Sequence, residues 1–306
     1  MFHPRNKHQS SYNFPVLIAA LPELKEYVKP NKYGNQSIDF FNPQAVKSLN
    51  KALLLHQYGL QDWDIPDGQL CPPVPGRADY LHYVADLLGE AKRGKIPIGP
   101  KVKCLDIGTG ANCIYPLLGS SMYQWSFIGT DIQEDSLEAA QKNVDVNPHL
   151  THIELRYQEN REKIFSGIWK EADFMDLVIC NPPFHASEKD AQKAQSRKLK
   201  NLKGKSTSNL KLNFGGNAAE LWCEGGEIGF IARMIAESKE IGNACLWFTS
   251  LVSREKHIPS LQKILKQQAA AQVKVIPMGQ GNKVSRLICW SFLTKNQQMK
   301  WAKAKW

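Results

Sequence analysis

The chain is 306 residues long, 42% apolar and 22% charged, enough for one large α/β domain with an extension or for two small domains. Its net charge of +10 and isoelectric point near 9.2 favour a polyanion as partner, because each phosphate neutralised by Lys or Arg releases condensed counterions; the alternative is a basic surface with no such partner. No apolar run approaches the ~18 residues of a membrane span, and the apolar stretch 15–21 runs into Pro22 and Glu23 without a small-residue cleavage site, so neither membrane anchor nor secretory leader is expected.

Residues 1–75 are rich in Asn, Gln, Pro and aromatics. They predict one helix, with Asn42 as N-cap and Pro43 as first helical residue, running through Leu54. The stretch 71–76, Cys-Pro-Pro-Val-Pro-Gly, is expected to be irregular and to mark a junction. A helix from about Arg77 to Lys92 then leads into an apolar strand, Val102–Ile107. Gly108-Thr109-Gly110 follows, then a helix, a strand at Trp125–Ile132, a helix from Glu134 to about Val146 and a strand near Ile153–Tyr157. Another helix is expected before the strand Met175–Cys180. A helix near Gly226–Lys239, a strand at Ala244–Val252, a helix at Glu255–Ala271 and strands near Val273–Pro277 and Leu287–Leu293 complete the series. Strands alternating with amphipathic helices indicate βαβ units, hence an α/β, Rossmann-like fold. The expected sheet has seven strands, mostly parallel, covered by helices on both faces and closed by an antiparallel hairpin across a Gly-rich link at 279–282. Residues 295–306, with Lys295, Lys300, Lys303, Lys305, Trp301 and Trp306, form a basic–aromatic tail or a disordered terminus.

The seven cysteines (71, 104, 113, 180, 223, 245 and 289) are odd in number and scattered, with no Cys-x-x-Cys pair or Cys/His cluster. They are expected to be small buried hydrophobes in a reducing compartment, so no metal site is expected and the cytoplasm is the default location.

Leu105-Asp106-Ile107-Gly108-Thr109-Gly110 stands where the first strand of the βαβ series ends and a helix begins. Glycines there let the backbone approach a ligand and leave amide donors free at the helix N-terminus. Cys113 occupies the place of the third glycine of a dinucleotide fingerprint, which counts against NAD and a pyrophosphate. Asp131 ends the next strand, about 20 residues beyond the glycines, where a carboxylate can accept hydrogen bonds from both ribose hydroxyls of an adenosyl group. Its other role would be to cap the helix beginning near Glu134, and the two are compatible.

Asn181-Pro182-Pro183-Phe184 directly follows the strand Met175–Cys180, so it faces the same crevice as Gly108 and Asp131. An adenine amino group is a poor nucleophile because its lone pair is delocalised into the ring. The Asn oxygen and a Pro-Pro carbonyl can each accept one amino hydrogen and turn the lone pair towards a methyl donor. Proline stiffens the loop, and Phe184 offers a face for the base, worth ~1–3 kcal/mol. A sulfonium methyl is already activated, so alignment rather than a strong base should supply most of the rate. The alternative is a tight strand-to-loop turn with a core Phe.

Six stretches resemble one known family along nearly the whole chain. They are His3-Pro4-Arg5-Asn6-Lys7-His8, the segment 39–46, the segment 73–82, the segment 106–116, the tetrad Asn181–Phe184, and Gly215-Gly216-Asn217 with Glu220 to Glu227. The family is the bacterial 23S ribosomal RNA adenine-N6 methyltransferase F family, assigned to adenine-1618; the eukaryotic methyltransferase-like protein of U6 small nuclear RNA is more distant. The resemblance implies a class I methyltransferase domain at 76–294 behind an N-terminal RNA-binding extension at 1–75. It implies S-adenosyl-L-methionine as cofactor, with Arg77 near its carboxylate, Gly108 and Asp131 binding it, and Asn181 and Phe184 holding the adenine. With the motif residues the full expected site is Asn181, Pro182 and Phe184 for catalysis and Arg77, Asp106, Gly108, Gly110, Asp131 and Asn160 for the cofactor. The family has Glu where this chain has Asp131, and Asn160, over the cofactor adenine, rests on a poor alignment.

Residues 185–211 carry eight Lys or Arg against Glu188 and Asp190. They are either a solvated loop or a basic lid over RNA phosphates, with Lys198, Lys200 and Lys203 the expected contacts. Arg5 and Lys7, beside His3 and His8, are further expected contacts to RNA. The expected partner is 23S ribosomal RNA or a large-subunit precursor, and nothing in the sequence speaks to oligomeric state. Two other readings stand beside this one. A methyltransferase of another RNA, of DNA adenine or of a protein glutamine would use the same tetrad; a catalytically silent RNA-binding ribosome-assembly factor would use only the basic surface.

Overall fold

A computed structural model describes residues 2–150, 152–185, 187, 222–280 and 283–306. One sheet of seven strands runs in the order β5-β4-β3-β6-β7-β9-β8. Its strands are β3 (Lys103–Ile107), β4 (Ser126–Asp131), β5 (Ile153–Tyr157), β6 (Met175–Cys180), β7 (Cys245–Val252), β8 (Gln272–Gln280) and β9 (Lys283–Ser291). Five are parallel, and β9 inserts antiparallel between β7 and β8, as the Gly-rich link between the last two strands predicts. All six residues of β6 are buried, which is how a central parallel strand covered on both faces reads.

Alternation along the strands sends side chains to two cores. Cys104, Phe127, Leu177, Ile179 and Trp247 pack on one face with α3 (Val74–Glu90) and α4 (Ile114–Tyr123). Leu105, Ile128, Val178, Cys180 and Phe248 pack on the other with α6 (Gly226–Ile241) and α7 (Ile258–Gln267). The helix α5 (Glu134–Asp145) has Glu134 and Asp135 in its first turn and Lys142 in its last, each charge favourable to the helix dipole.

The N-terminal residues are more structured than their composition predicts. The helix α2 (Pro43–Tyr58) is capped as expected by Asn42, which accepts from the amides of Gln44 and Ala45. Two elements have no clear signal in the sequence: the short helix α1 (Phe14–Ala20) and the hairpin β1 (Val28–Pro30) with β2 (Gln36–Ile38). Phe14, Leu17, Leu24, Leu53 and Trp63 belong to the same buried cluster as Val84, Leu117 and Phe127, so the extension shares the core of the sheet.

Four expectations are corrected. The stretch 71–76 is not wholly irregular: α3 begins at Val74, because Pro75 and Gly76 fall in the first turn, where a missing N–H costs nothing. The segment between Tyr157 and Met175 forms turns instead of a helix. Gly167 stands there at φ 92°, and the Glu237 carboxylate accepts from the amides of Ile164 and Phe165, at 3.0 and 2.9 Å, that a helix would use internally. The helix expected at 255–271 is shorter: residues 255–257 form a 3-10 turn and α7 ends at Gln267. Residues 295–306 are not a loose tail: Lys295–Lys305 form α8, started by a capping box between Thr294 and Gln297.

Helix α8 docks on a buried charge. Asp176, at the start of β6, accepts from the Lys103 amide at 2.7 Å, from Trp301 Nε1 at 2.6 Å and from Lys305 Nζ at 2.8 Å. Truncation after Thr294 would leave Asp176 with one donor, and it is expected to cost ~3–5 kcal/mol of stability in urea unfolding. A loss below ~1 kcal/mol would mean that solvent satisfies Asp176 once the helix is gone.

Candidate active site

A cavity of about 450 Å³ opens at the carboxyl edge of β3, β4 and β6. Its floor is the turn Gly108-Thr109-Gly110, with both glycines in the left-handed region at φ 74° and 62°. The turn is pinned to the end of β4. The Thr130 carbonyl accepts from the amides of Gly108 at 2.9 Å and Thr109 at 2.8 Å, and Asp131 Oδ2 accepts from that of Gly110 at 2.9 Å. This corrects one expectation, since the amides of the glycine turn are spent internally and do not wait for a phosphate. A glycine is needed for backbone geometry and close approach, not to present donors.

Asp131 lines the cavity, and its Oδ1 also accepts from the Gln133 amide at the start of α5, at 3.0 Å. Burial raises its carboxyl above the ordinary range, against the pull of these amides. Arg77, buried on α3, lines the same space and donates to the Tyr115 hydroxyl at 3.0 Å, with its guanidinium over the Tyr115 ring. Asp106 lies behind the wall instead of on it. It is 1% exposed, and burial raises its pKa to about 7, outweighing the Thr109 side chain, which favours the ionised form. Arg77 likewise favours the ionised form. Cys113, in the place of a third fingerprint glycine, adopts φ 49° at the head of α4.

Asn181, Pro182 and Pro183 line the cavity where β6 ends, and the Asn181 Oδ1 is buried with no hydrogen-bond partner. An unsatisfied buried oxygen costs ~1–3 kcal/mol, so its presence in a cavity marks a place for a donor. Phe184 is half-buried and is not among the cavity residues. The aromatic side chain lining the wall near the tetrad is Trp222, joined to it through the bridge between His185 and Trp222.

Asn160 is not among the cavity residues. It is exposed, its side chain closes a turn onto the Glu162 amide, and Gln158 is the neighbour that lines the cavity. Arg5 and Lys7 have internal partners: Arg5 reaches Asp86 at 2.8 Å and the His82 carbonyl at 2.9 Å, and Lys7 reaches the Gln57 carbonyl at 2.5 Å. Lys198, Lys200 and Lys203 lie outside the described residues, as does most of the basic segment. Sequence reasoning missed Tyr115, Trp222, Phe230 and Arg233 in the wall, and Leu70 and Pro72, which the extension contributes. Tyr115 and Trp222 carried a signal only as members of the family-like stretches 106–116 and 220–227, while Leu70, Pro72, Phe230 and Arg233 lie outside them.

Residues 1–294 match a family described as RNA methyltransferase. The chain belongs to that family. It is 52% identical over 305 residues to ribosomal RNA large subunit methyltransferase F of Cytophaga hutchinsonii, covering 99% of this chain and 95% of that one. It is 53% identical over 302 residues to the protein of the same name in Flavobacterium johnsoniae, covering 98% and 96%. Among solved structures, the catalytic domain of hMettl16 in complex with a MAT2A 3'UTR hairpin aligns with a TM-score of 0.81 at 30% identity, over 95% of this chain and 96% of that one. The N-terminal domain of human METTL16 in complex with SAH aligns with a TM-score of 0.75 at 27% identity, over 95% and 99%. The protein is therefore an S-adenosylmethionine-dependent RNA methyltransferase with a Rossmann-like fold.

The residues present suit that cofactor: a glycine turn that admits close approach, a carboxylate at the end of β4, and a buried Asp106 carboxylate behind the turn. Ionised Asp106 places negative charge beneath the turn, which favours a cationic ligand. Cofactor affinity is therefore expected to rise as pH passes upward through about 7, where Asp106 loses its proton. A coupling of one pKa unit would make the rise ~10-fold. Calorimetric titration of the methyltransferase and of Asp106→Asn at several pH values checks it, since the variant should lose the slope; equal slopes would separate Asp106 from binding.

Proposed function

We propose that the methyltransferase modifies the exocyclic N6 of one adenine in 23S ribosomal RNA, the adenine at position 1618, on the free RNA or a large-subunit precursor in the cytoplasm. The observation that carries this reading is the buried, unpartnered Asn181 Oδ1, set in the same cavity as the glycine turn and Asp131. It is supported by two relatives named for ribosomal RNA of the large subunit, each about half identical over nearly the whole chain.

Arg77 would take the cofactor carboxylate and Asp131 its ribose hydroxyls, with Gly108 and Gly110 allowing contact and Asp106 acting from beneath. Bound S-adenosylmethionine supplies an electrophilic methyl group on a sulfonium. Asn181 Oδ1 would accept one hydrogen of the adenine amino group and the carbonyl of Pro182 the other, fixing the nitrogen's lone pair towards that methyl group. An extruded base leaves its stack to reach such a cavity. Trp222 supplies an apolar face within it, and Phe184, the last residue of the tetrad, is the second aromatic proposed to stack on the base.

The extension 1–75 is proposed to bind RNA, since its Leu70 and Pro72 form part of the cavity wall. Arg5 and Lys7 would contribute from its first residues while keeping their internal partners. The proposal for Lys198, Lys200 and Lys203 rests on charge in the sequence alone.

Labelled methyl transfer to RNA from a strain lacking the protein, followed by nucleoside analysis, tests the reaction. N6-methyladenosine in 23S RNA is the expected product; transfer only to ribosomal particles would move recognition onto the assembled subunit. Asn181→Ala is expected to abolish turnover while leaving cofactor affinity within about twofold, since its side chain would touch only the base. Equal loss of both would assign Asn181 a structural role. Neutralising Lys198, Lys200 and Lys203 together is expected to weaken RNA binding and lower its salt slope by up to ~3, and an unchanged slope would remove them from the RNA surface.

A further inference from the structure

The sheet divides at its carboxyl edge, and the division lies beside the tetrad. The pairing of β6 with β7 stops at Val178 opposite Phe248. Beyond it, Ile179 and Cys180 remain paired with β3, while Thr249 to Val252 of β7 remain paired with β9. Two residues of ladder between β6 and β7 are therefore missing just before Asn181.

Side chains close the gap. The hydroxyl of Tyr80, on α3, lies 2.9 Å from Thr249 Oγ1 and 3.4 Å from both the amide and the carbonyl of Cys180. Thr249 Oγ1 donates to the Val178 carbonyl at 2.7 Å. The donors fix the direction of the chain. A carbonyl can only accept, so the Thr249 hydrogen goes to Val178 and Thr249 must accept from Tyr80. The Tyr80 oxygen is then open to the Cys180 amide. Tyr80 has one hydrogen, and at 2.9 Å Thr249 is a better acceptor than the Cys180 carbonyl at 3.4 Å.

Both side chains are fully buried. Burial pushes the Tyr80 hydroxyl well above its ordinary range, so it stays neutral and serves no proton transfer. Tyr80 lies one turn beyond Arg77, and both rings or heads meet Tyr115: the Tyr80 and Tyr115 rings pack edge to face at 5.3 Å.

We infer that Tyr80 and Thr249 are positioning residues for the methyl transfer: their hydroxyls replace the missing β6–β7 ladder and set where Asn181 leaves the strand. This rests on the reading of Asn181 as the acceptor of the target amino group. Without the clasp, the last residues of β6 are held by β3 alone and the Asn181 oxygen is free to drift from the reacting nitrogen. A displacement of about 1 Å costs up to ~100-fold in rate.

The test is steady-state kinetics on Tyr80→Phe, Thr249→Val and the double variant, with cofactor affinity by calorimetry and unfolding temperature measured alongside. Each single variant is expected to lower kcat by ~10-fold or more with cofactor affinity within about twofold. The double variant should be no worse than the singles, because they interrupt one chain of hydrogen bonds. Thr249→Ser, which keeps the hydroxyl, should retain kcat. A kcat unchanged in folded Tyr80→Phe overturns the inference. So does a parallel fall of kcat, cofactor affinity and unfolding temperature that Thr249→Ser shares. Asn181→Ala separates the two levels. If it abolishes turnover while Tyr80→Phe does not change kcat, the clasp alone is wrong; if it leaves turnover intact, the reading of the tetrad fails and the clasp with it.

Discussion

The cleft depends on the bonds that fasten the Gly108–Gly110 turn to the end of β4. Three successive amides are taken, two by the Thr130 carbonyl and one by the Asp131 carboxylate. A turn with its amides satisfied cannot act as an anion nest, so the site is not built for a diphosphate. What remains is a close-contact surface beside a carboxylate, with Asp106 buried beneath it. That suits a nucleoside carrying positive charge. Cys113 fits the same logic: a left-handed, fully buried residue at the head of α4 needs no approaching phosphate to justify it. One set of bonds thus decides both which cofactor class the fold accepts and where Asp131 stands.

Much of this was legible because the sheet strands announce themselves. Residues 103–107, 126–131, 153–157, 175–180 and 245–252 are short apolar or alternating runs, and local pattern coincides with tertiary burial there. The tetrad after β6 was equally plain. The failures share a cause, which is that distant side chains override local pattern. The turns at 158–174 look helical until Glu237, far along the chain, takes their amides. The tail looks solvated until Trp301 and Lys305 find Asp176. Asn160 and Gln158 are two polar residues in one turn, and only the fold shows which faces the cavity. Sequence alone did not show that His3 and His8 are buried or that Arg5 shares Asp86 with His3.

Helix α3 connects these parts. Its Asp79 accepts from the His3 amide at 2.7 Å and from the Asn6 side chain at 2.9 Å, tying down the first residues of the chain. Its Arg77 reaches the cavity, and its Tyr80 reaches the end of β6. The extension therefore meets the cavity edge partly through this one helix, beside the Leu70 and Pro72 that it contributes to the wall directly. Trp63 adds a second tie, donating to the Asn112 carbonyl at 2.9 Å beside the glycine turn. The extension is thus fixed at places that also shape the cavity.

Catalysis in such a site must come from placement. Among the described residues no histidine lines the cavity, and Asp106, whose pKa burial raises to about 7, is sealed behind the wall, although the carboxylates of Asp131, Glu162 and Glu224 line it. The Asn181 oxygen cannot remove a proton at ordinary pH; in the proposed role it would hold one hydrogen and thereby direct a lone pair. A reaction run this way is sensitive to ångström-scale error and insensitive to the basicity of any one group. That explains why the fold spends so much fixed hydrogen bonding on backbone near the tetrad. Cys180 is held by β3 on one side and by the Tyr80–Thr249 clasp on the other, while the proline pair restricts the path beyond it. On the proposed reading of Asn181, the rigidity of those few residues would do by placement what a general base does in other enzymes.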